Sequence, residues 1–140
     1  MTTATLGKDI VFECVTHGVC VRVAPHYRAE QSNPAEQYFF WSYRVEIENR
    51  GTIPVQLRSR HWQITDGQGR IQDVRGAGVV GEQPLLMPGQ RFEYTSGAPL
   101  PTPTGFMTGT YQMQTPSGER FDVAIPVFPL DQPEIPRRLH

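Results

Sequence analysis

The run from Phe39 to Glu48 alternates without a break. Phe39, Trp41, Tyr43, Val45 and Ile47 share one parity, and Phe40, Ser42, Arg44, Glu46 and Glu48 share the other. A period of two sends successive side chains to opposite faces of a strand, so this segment turns an aromatic and β-branched face inward and a largely charged face outward. The same pattern recurs in Val19, Val21 and Val23, in Phe92 and Tyr94, in Met107, Tyr111 and Met113, and in Phe121, Val123, Ile125 and Val127. No segment keeps a helical period for three turns. Short strands separated by turn signals predict an all-β domain, an immunoglobulin- or fibronectin type III-like β-sandwich, with a small barrel as the alternative.

The punctuation fits that class. Gly and Pro number 13 each, enough to turn the chain often without making it low-complexity. Asn49-Arg50-Gly51, Asp66-Gly67-Gln68-Gly69 and Pro116-Ser117-Gly118 read as turns, and residues 30–36 as a polar loop. Val55 and Leu57 lie on one parity and Trp62 and Ile64 on the other, which predicts a bulge near Ser59 to His61. Pro126 donates no ladder hydrogen bond and so belongs at an edge or a bulge. The 140 residues suit one domain. The expected organisation is an N-terminal extension over 1–18, a sandwich domain over 19–130, and a mobile tail over 131–140, where two prolines interrupt a stretch without alternation.

A net charge of −1 gives no bulk attraction to nucleic acid or to an anionic membrane. One lysine stands against twelve arginines, a bias that suits bidentate ion pairing. No apolar run approaches the length of a membrane span, and the first residues lack the basic-then-apolar order of a secretory signal. A cytoplasmic setting is expected, with Cys14 and Cys20 as reduced thiols.

Gly76-Ala77-Gly78-Val79-Val80-Gly81 has the letters of a dinucleotide-binding fingerprint. That fingerprint works at the N-terminus of a helix inside a βαβ unit. Here Pro84 and Pro88-Gly89 follow too closely for a helix, and no Lys-Ser/Thr pair makes a P-loop. The glycines then serve backbone geometry first. An anion site built from loop N–H groups, with Arg70 and Arg75 beside Gly76, Gly78 and Gly81, is the functional alternative.

Cys14, His17 and Cys20 place three soft metal ligands within seven residues. A structural zinc site needs a fourth ligand and usually a second pair, so they are weak candidates and no metal is expected. The ordinary reading is a hairpin turning at His17-Gly18. His26, His61, Asp66, Asp73 and Glu82 show no recurring metal-binding spacing, and the chain carries neither GxSxG nor HExxH. No cofactor and no catalytic residue is nominated. Phe40, on the polar parity of its strand, and Leu85, Leu86 and Met87, between two prolines, are candidates for a partner surface.

Several segments together resemble the ApaG family, small all-β bacterial proteins also found as a domain in some eukaryotic F-box and polymerase-interacting proteins. They are Val21-Arg22-Val23 with Tyr27, the run 43–49, the run Leu57 to Asp66, the run Val74 to Pro84, and Leu86-Met87-Pro88-Gly89. Phe92 to Ser96, Gly109 to Met113 and Ala124 to Pro126 complete the set. Cys14 falls outside this stretch. The resemblance implies a fibronectin type III-like sandwich and an association with magnesium and cobalt efflux. It also implies a proposed pyrophosphate-binding role for the Gly76–Gly81 motif, in a cellular context that includes diadenosine tetraphosphate hydrolysis. A chain with no membrane span would serve efflux by binding something. The leading expectation is a non-enzymatic module that binds an as yet unknown protein partner, and the alternative is a weak nucleotide or pyrophosphate binder. Arginines 58, 70 and 75 gathered around the glycine loop would favour the second. An apolar patch around Phe40 or Leu85–Met87 would favour the first.

Overall fold

The computed structural model of the chain describes residues 2–6 and 9–133, with side chains from Ile10 onward. Ten strands form two antiparallel sheets: β1 (Thr2–Leu6), β2 (Asp9–Thr16), β3 (Val19–Tyr27), β4 (Phe39–Asn49), β5 (Val55–Asp66), β6 (Ile71–Ala77), β7 (Leu85–Leu86), β8 (Arg91–Leu100), β9 (Thr104–Gln114) and β10 (Arg120–Asp131). One sheet runs β1-β2-β3-β4-β8. The other runs β10-β9-β5-β6, with β7 also paired to β5. The only helical pieces among the described residues are two single 3₁₀ turns, at Ala29–Gln31 and Pro34–Glu36. The chain is therefore the all-β sandwich that its alternation predicts.

The inward parities make one core. Val19, Val21, Val23, Trp41, Val45 and Ile47 of the first sheet meet Leu57, Trp62, Met107, Tyr111, Met113, Val123 and Phe128 of the second, all buried. Trp62 sits among aromatic rings, edge-on to Tyr111 and Phe128 and tilted against Tyr43. Trp41 is buried as its parity requires, and its indole Nε1 donates to the Asp131 carbonyl at 3.0 Å. The bulge falls between Leu57 and Ser59. Pro126 sits at a second irregularity, between Ile125 and Phe128 on edge strand β10. Pro25 lies in β3 beyond the last residue paired to β2, where the missing N–H breaks no ladder between those strands.

The described residues at both ends of the chain take part in the sheets. The sheet continues through residues 9–16, where β2 pairs with β3 from Phe12↔Val23 to Thr16↔Val19, and β1 pairs with β2 beyond it. Val11 is buried, and the Thr16 hydroxyl accepts the Ala124 N–H at 3.1 Å. This is the hairpin expected to turn at His17-Gly18, and it extends the sheet to residue 9. Asp131 is still strand, and Gln132 donates its N–H to the Pro103 carbonyl. The remainder of the expected tail, 134–140, lies outside the described residues. Residues 96–97 lie inside β8, which runs on to Leu100.

Strand β10 contacts β2 and β3 and closes the sandwich along one side. On the other side the edges are β8 and β6, and no ladder joins them. This open side lies beside the glycine motif.

The outer face of the first sheet carries an arginine–glutamate lattice. Arg22 bridges Glu13 (2.7 Å) and Glu46 (3.4 Å), Arg50 bridges Glu48 (2.8 Å), and Arg91 bridges Glu48 (3.1 Å). Three of the twelve arginines thus form ion pairs on this face, Arg22 and Arg91 across strands.

Candidate functional site

The glycine motif closes a hairpin. Val79 and Glu82 exchange both backbone hydrogen bonds at 2.8 Å, so Val80 and Gly81 form a two-residue turn. Both central residues have positive φ, +42° and +80°, the geometry of a type I′ turn. Each glycine has its own reason. Gly81 takes the left-handed position. Gly78, at φ +62°, leaves no room for a β-carbon against the Glu82 carbonyl. Gly76 is the seat of an arginine: a β-carbon there would stand 2.8–2.9 Å from the Arg60 guanidinium.

Arg60, which the sequence reading did not nominate, is the residue that the motif seats. In an antiparallel ladder, directly opposed residues share a face. Arg60 opposes Gly76 on β6 and Tyr111 on β9, while Trp62 opposes Val74 and Gly109. The bulge after Leu57 moves Arg60 onto the inward parity of Trp62 and Ile64, so that parity was the available signal. Its Nη1 donates to the carbonyls of Ala77 (3.0 Å) and Gly78 (2.8 Å). No carboxylate lies within 4.0 Å of it among the described residues.

Between β6 and β8, Arg60 lines a cleft of about 370 Å³ together with Tyr43, Trp62, Ile64, Gln72, Val74, Val79, Val80, Tyr94, Ser96 and Met107. The Tyr94 and Tyr111 hydroxyls hydrogen-bond to each other. Burial raises the pKa of Tyr43, Tyr94 and Tyr111. The phenols are therefore protonated donors at neutral pH, although the Arg60 charge acts in the opposite direction.

The two arginines expected at the motif are not gathered there. Arg75 is exposed and opposes His61 on the outer face of its sheet, opposite to Gly76 and Arg60. Next to it, His61 Nε2 and Asp73 Oδ1 are 2.7 Å apart. Arg70 lies past the far end of β6, about 20 Å from Gly76 by strand rise, and binds the Asp66 carboxylate at 2.8 Å. That carboxylate also accepts the N–H groups of Gln68 and Arg70. Arg58 bonds to Gln114 and Gln83. At the hairpin, the Gly78 N–H donates to the Arg58 carbonyl, the Val79 N–H to the Glu82 carbonyl and the Glu82 N–H to the Val79 carbonyl.

The cysteines are separated by the sheet itself. Cys14 opposes Val21 on the inward face, and Cys20 opposes Val15 on the outward face. Ligands on opposite faces of one sheet do not share an ion, and thiols so placed do not form a disulfide. His17, at the turn with φ +48°, packs edge-on against Phe121. Cys20 is buried and lies 3.3 Å from Glu13 Oε1; burial first, and that carboxylate second, push its thiol up to about 11. Among the described residues no group of three His, Cys, Asp or Glu is placed to hold a metal ion.

The four partner-surface candidates divide. Leu86 is buried in the core opposite Val55, contrary to expectation, because β7 adds to the edge of β5. Phe40 is half-buried: its ring covers Gly97 of β8, where a β-carbon would collide with it, and it stacks on Tyr38. Leu85 and Met87 are 55% and 46% exposed, and Ile53 on the neighbouring loop is 53% exposed. These three lie at one end of the sandwich, around two hollows of about 390 and 510 Å³ that share Thr115. Asn49 holds this end together. It is 1% exposed, donates through Nδ2 to the Ile53 and Leu86 carbonyls at 2.8 and 2.9 Å, and accepts the Gly51 N–H at 2.9 Å.

The model of the ApaG domain matches residues 29–115. The chain belongs to the ApaG family. Protein ApaG of Rhodospirillum centenum is 63% identical over 119 residues, spanning 85% of this chain and 92% of that protein. Protein ApaG of a Bradyrhizobium species is 56% identical over 130 residues, 93% of this chain and 100% of its own length. Among solved structures, one described as the ApaA protein of Bordetella pertussis superposes with a TM-score of 0.80 at 51% identity, covering 88% of this chain and 97% of that one. Among the described residues no helix is long and apolar enough to cross a membrane.

Proposed function

We propose that this ApaG chain is a non-enzymatic, cytoplasmic binding module that acts on divalent-cation homeostasis by protein contact, through the end of the sandwich that carries Ile53, Leu85 and Met87. The observation behind this reading is the exposure of these three apolar side chains at the rims of two adjoining hollows. Apolar groups grouped in this way, on loops pinned by a buried Asn49, offer a partner an ordered surface, so little entropy is lost on docking. A partner with an extended apolar segment suits it. The test compares the wild-type chain with a Leu85→Ser/Met87→Ser double variant of equal melting temperature. Cross-linking in native lysate should recover partners with the wild type that the variant fails to hold. A strain lacking the gene should regain its cobalt tolerance with the wild type only. Equal recovery and equal rescue by both chains would refute the proposal.

A further inference from the structure

We propose that the open side of the sandwich is a binding cleft for a small organic monoanion, a flat apolar body bearing one carboxylate, with Arg60 as the residue that holds the carboxylate. The cleft shares no lining residue with the Leu85–Met87 hollow and does not depend on the partner-binding reading.

Four observations converge. The first is charge. Among the residues lining the cleft, Arg60 alone carries a full charge at neutral pH, and among the described residues no carboxylate lies within 4.0 Å of it. One fixed positive charge in a partly dry space suits one negative charge; a dianionic phosphate would keep a charge unmatched. The second is geometry. Arg60 spends Nη1 on the carbonyls of Ala77 and Gly78. The edge formed by Nε and Nη2 makes no hydrogen bond within the described chain, and that planar fork fits a carboxylate bidentately.

The third is the wall. Trp62, Ile64, Val74, Val79, Ala98, Pro99 and Met107 supply apolar area, with the hydroxyls of Tyr43, Ser96 and Tyr94 beside the cation. About 370 Å³ lies in the ordinary range for small-molecule sites. The fourth is preorganisation. The hairpin carbonyls clamp the guanidinium, and the missing side chain at Gly76 makes room for it. In this arrangement the three glycines of the motif shape the hairpin and seat Arg60, while Val79 adds to the apolar wall.

The test uses 2-naphthoate as probe, titrated into the whole folded chain and followed by amide chemical shifts and tryptophan emission. Naphthalene-2-methanol serves as the neutral analogue, and acetate lacks the body. The expected result is saturable naphthoate binding, with shifts centred on Val79, Gly97 and Ala98. The alcohol and acetate should each bind at least about tenfold more weakly. Arg60→Gln should lose at least about tenfold for naphthoate while leaving the alcohol unchanged. Arg60→Lys keeps the charge without the fork and should fall between. If Arg60→Gln does not fold, Ser96→Ala and Tyr43→Phe, which remove hydroxyls only, should each weaken naphthoate severalfold. Failure of naphthoate to bind, shifts outside the cleft, or equal affinity for acid and alcohol would overturn the proposal. So would unchanged naphthoate affinity in Arg60→Gln or, where that variant does not fold, in both hydroxyl variants.

Discussion

The glycines at 78 and 81 have different costs. Gly81 has positive φ with nothing within 4 Å of a hypothetical β-carbon, whereas Gly78 adds a collision with the Glu82 carbonyl. Gly81→Ala should cost about 1 kcal/mol, and Gly78→Ala about 2 kcal/mol or more, because a left-handed conformation and a backbone clash both contribute. Thermal melts of the two variants check the order. Val80 is a β-branched residue at φ +42°, so Val80→Asn, creating the preferred Asn-Gly type I′ pair, should raise stability by about 1 kcal/mol. The same hairpin commits the Val79 and Glu82 N–H groups to each other's carbonyls, Asp66 holds Arg70, and Arg75 lies on the outer face opposite His61. Calorimetry with ATP and with diadenosine tetraphosphate is expected to show no affinity tighter than about high micromolar.

Among the strands and turns, Asp66 has the largest task. Burial would raise its pKa, but the N–H groups of Arg70 and Gln68 and the Arg70 guanidinium outweigh it and hold the carboxyl low. Asp73 is lowered first by its bond to His61, Glu13 by Arg22 and Glu48 by Arg50. A carboxyl lowered on folding stabilises the fold above its unfolded pKa, and this support disappears as pH falls through the lower folded value. Glu46 is raised, by burial and by the adjacent Glu93, and works in the opposite direction. With four lowered groups against one, the melting temperature should fall steadily below about pH 4. Asp66→Asn should lower the melting temperature at pH 7 and narrow its difference between pH 7 and pH 3. Identical differences in wild type and variant would contradict the assignment.

The elements also show what was readable beforehand. Strand β4 was readable because every inward residue from Phe39 to Ile47 is apolar. The bulge in β5 was readable because Leu57 and Trp62 stand on opposite parities. Its consequence, an inward Arg60, was not drawn, because a charged residue in a strand is expected to face water. Leu86 and Leu85 are indistinguishable in sequence; only the pairing of β7 with Val55 and Gln56 sends one inward and leaves the other out. The opposed faces of Cys14 and Cys20 follow from a two-residue turn, and with the register in hand their separation needs no further information.

For the whole molecule, the decisive asymmetry is between the side closed by β10 and the side left open between β6 and β8. The closed side depends on residues before Val19. Val11 is buried and Phe12 packs on the core, so removing residues 1–18 should cost about 3 kcal/mol or more and expose Val19 and Val21. Denaturant unfolding of the truncated chain checks this; unchanged stability would mean that β2 is a passenger. The open side should show the converse in hydrogen exchange, with amides on the free edges of β6 and β8 exchanging faster than those of β3, β4, β5 and β9, which are paired on both sides.

The contact between Arg60 and Gly76 ties two positions sixteen residues apart into a single unit of inheritance. A β-carbon at 76 would press on the guanidinium and shift it from the Ala77 and Gly78 carbonyls, a movement that the flexible end of Arg60 can make. Gly76→Ala should cost little stability in the wild-type chain but loosen the seating of Arg60, and should be silent in an Arg60→Ala background, a coupling that a double-mutant cycle measures directly. Lineages that lose the arginine would then be the ones in which the first glycine of the motif is free to vanish, while the glycines at 78 and 81, which answer only to the turn, remain.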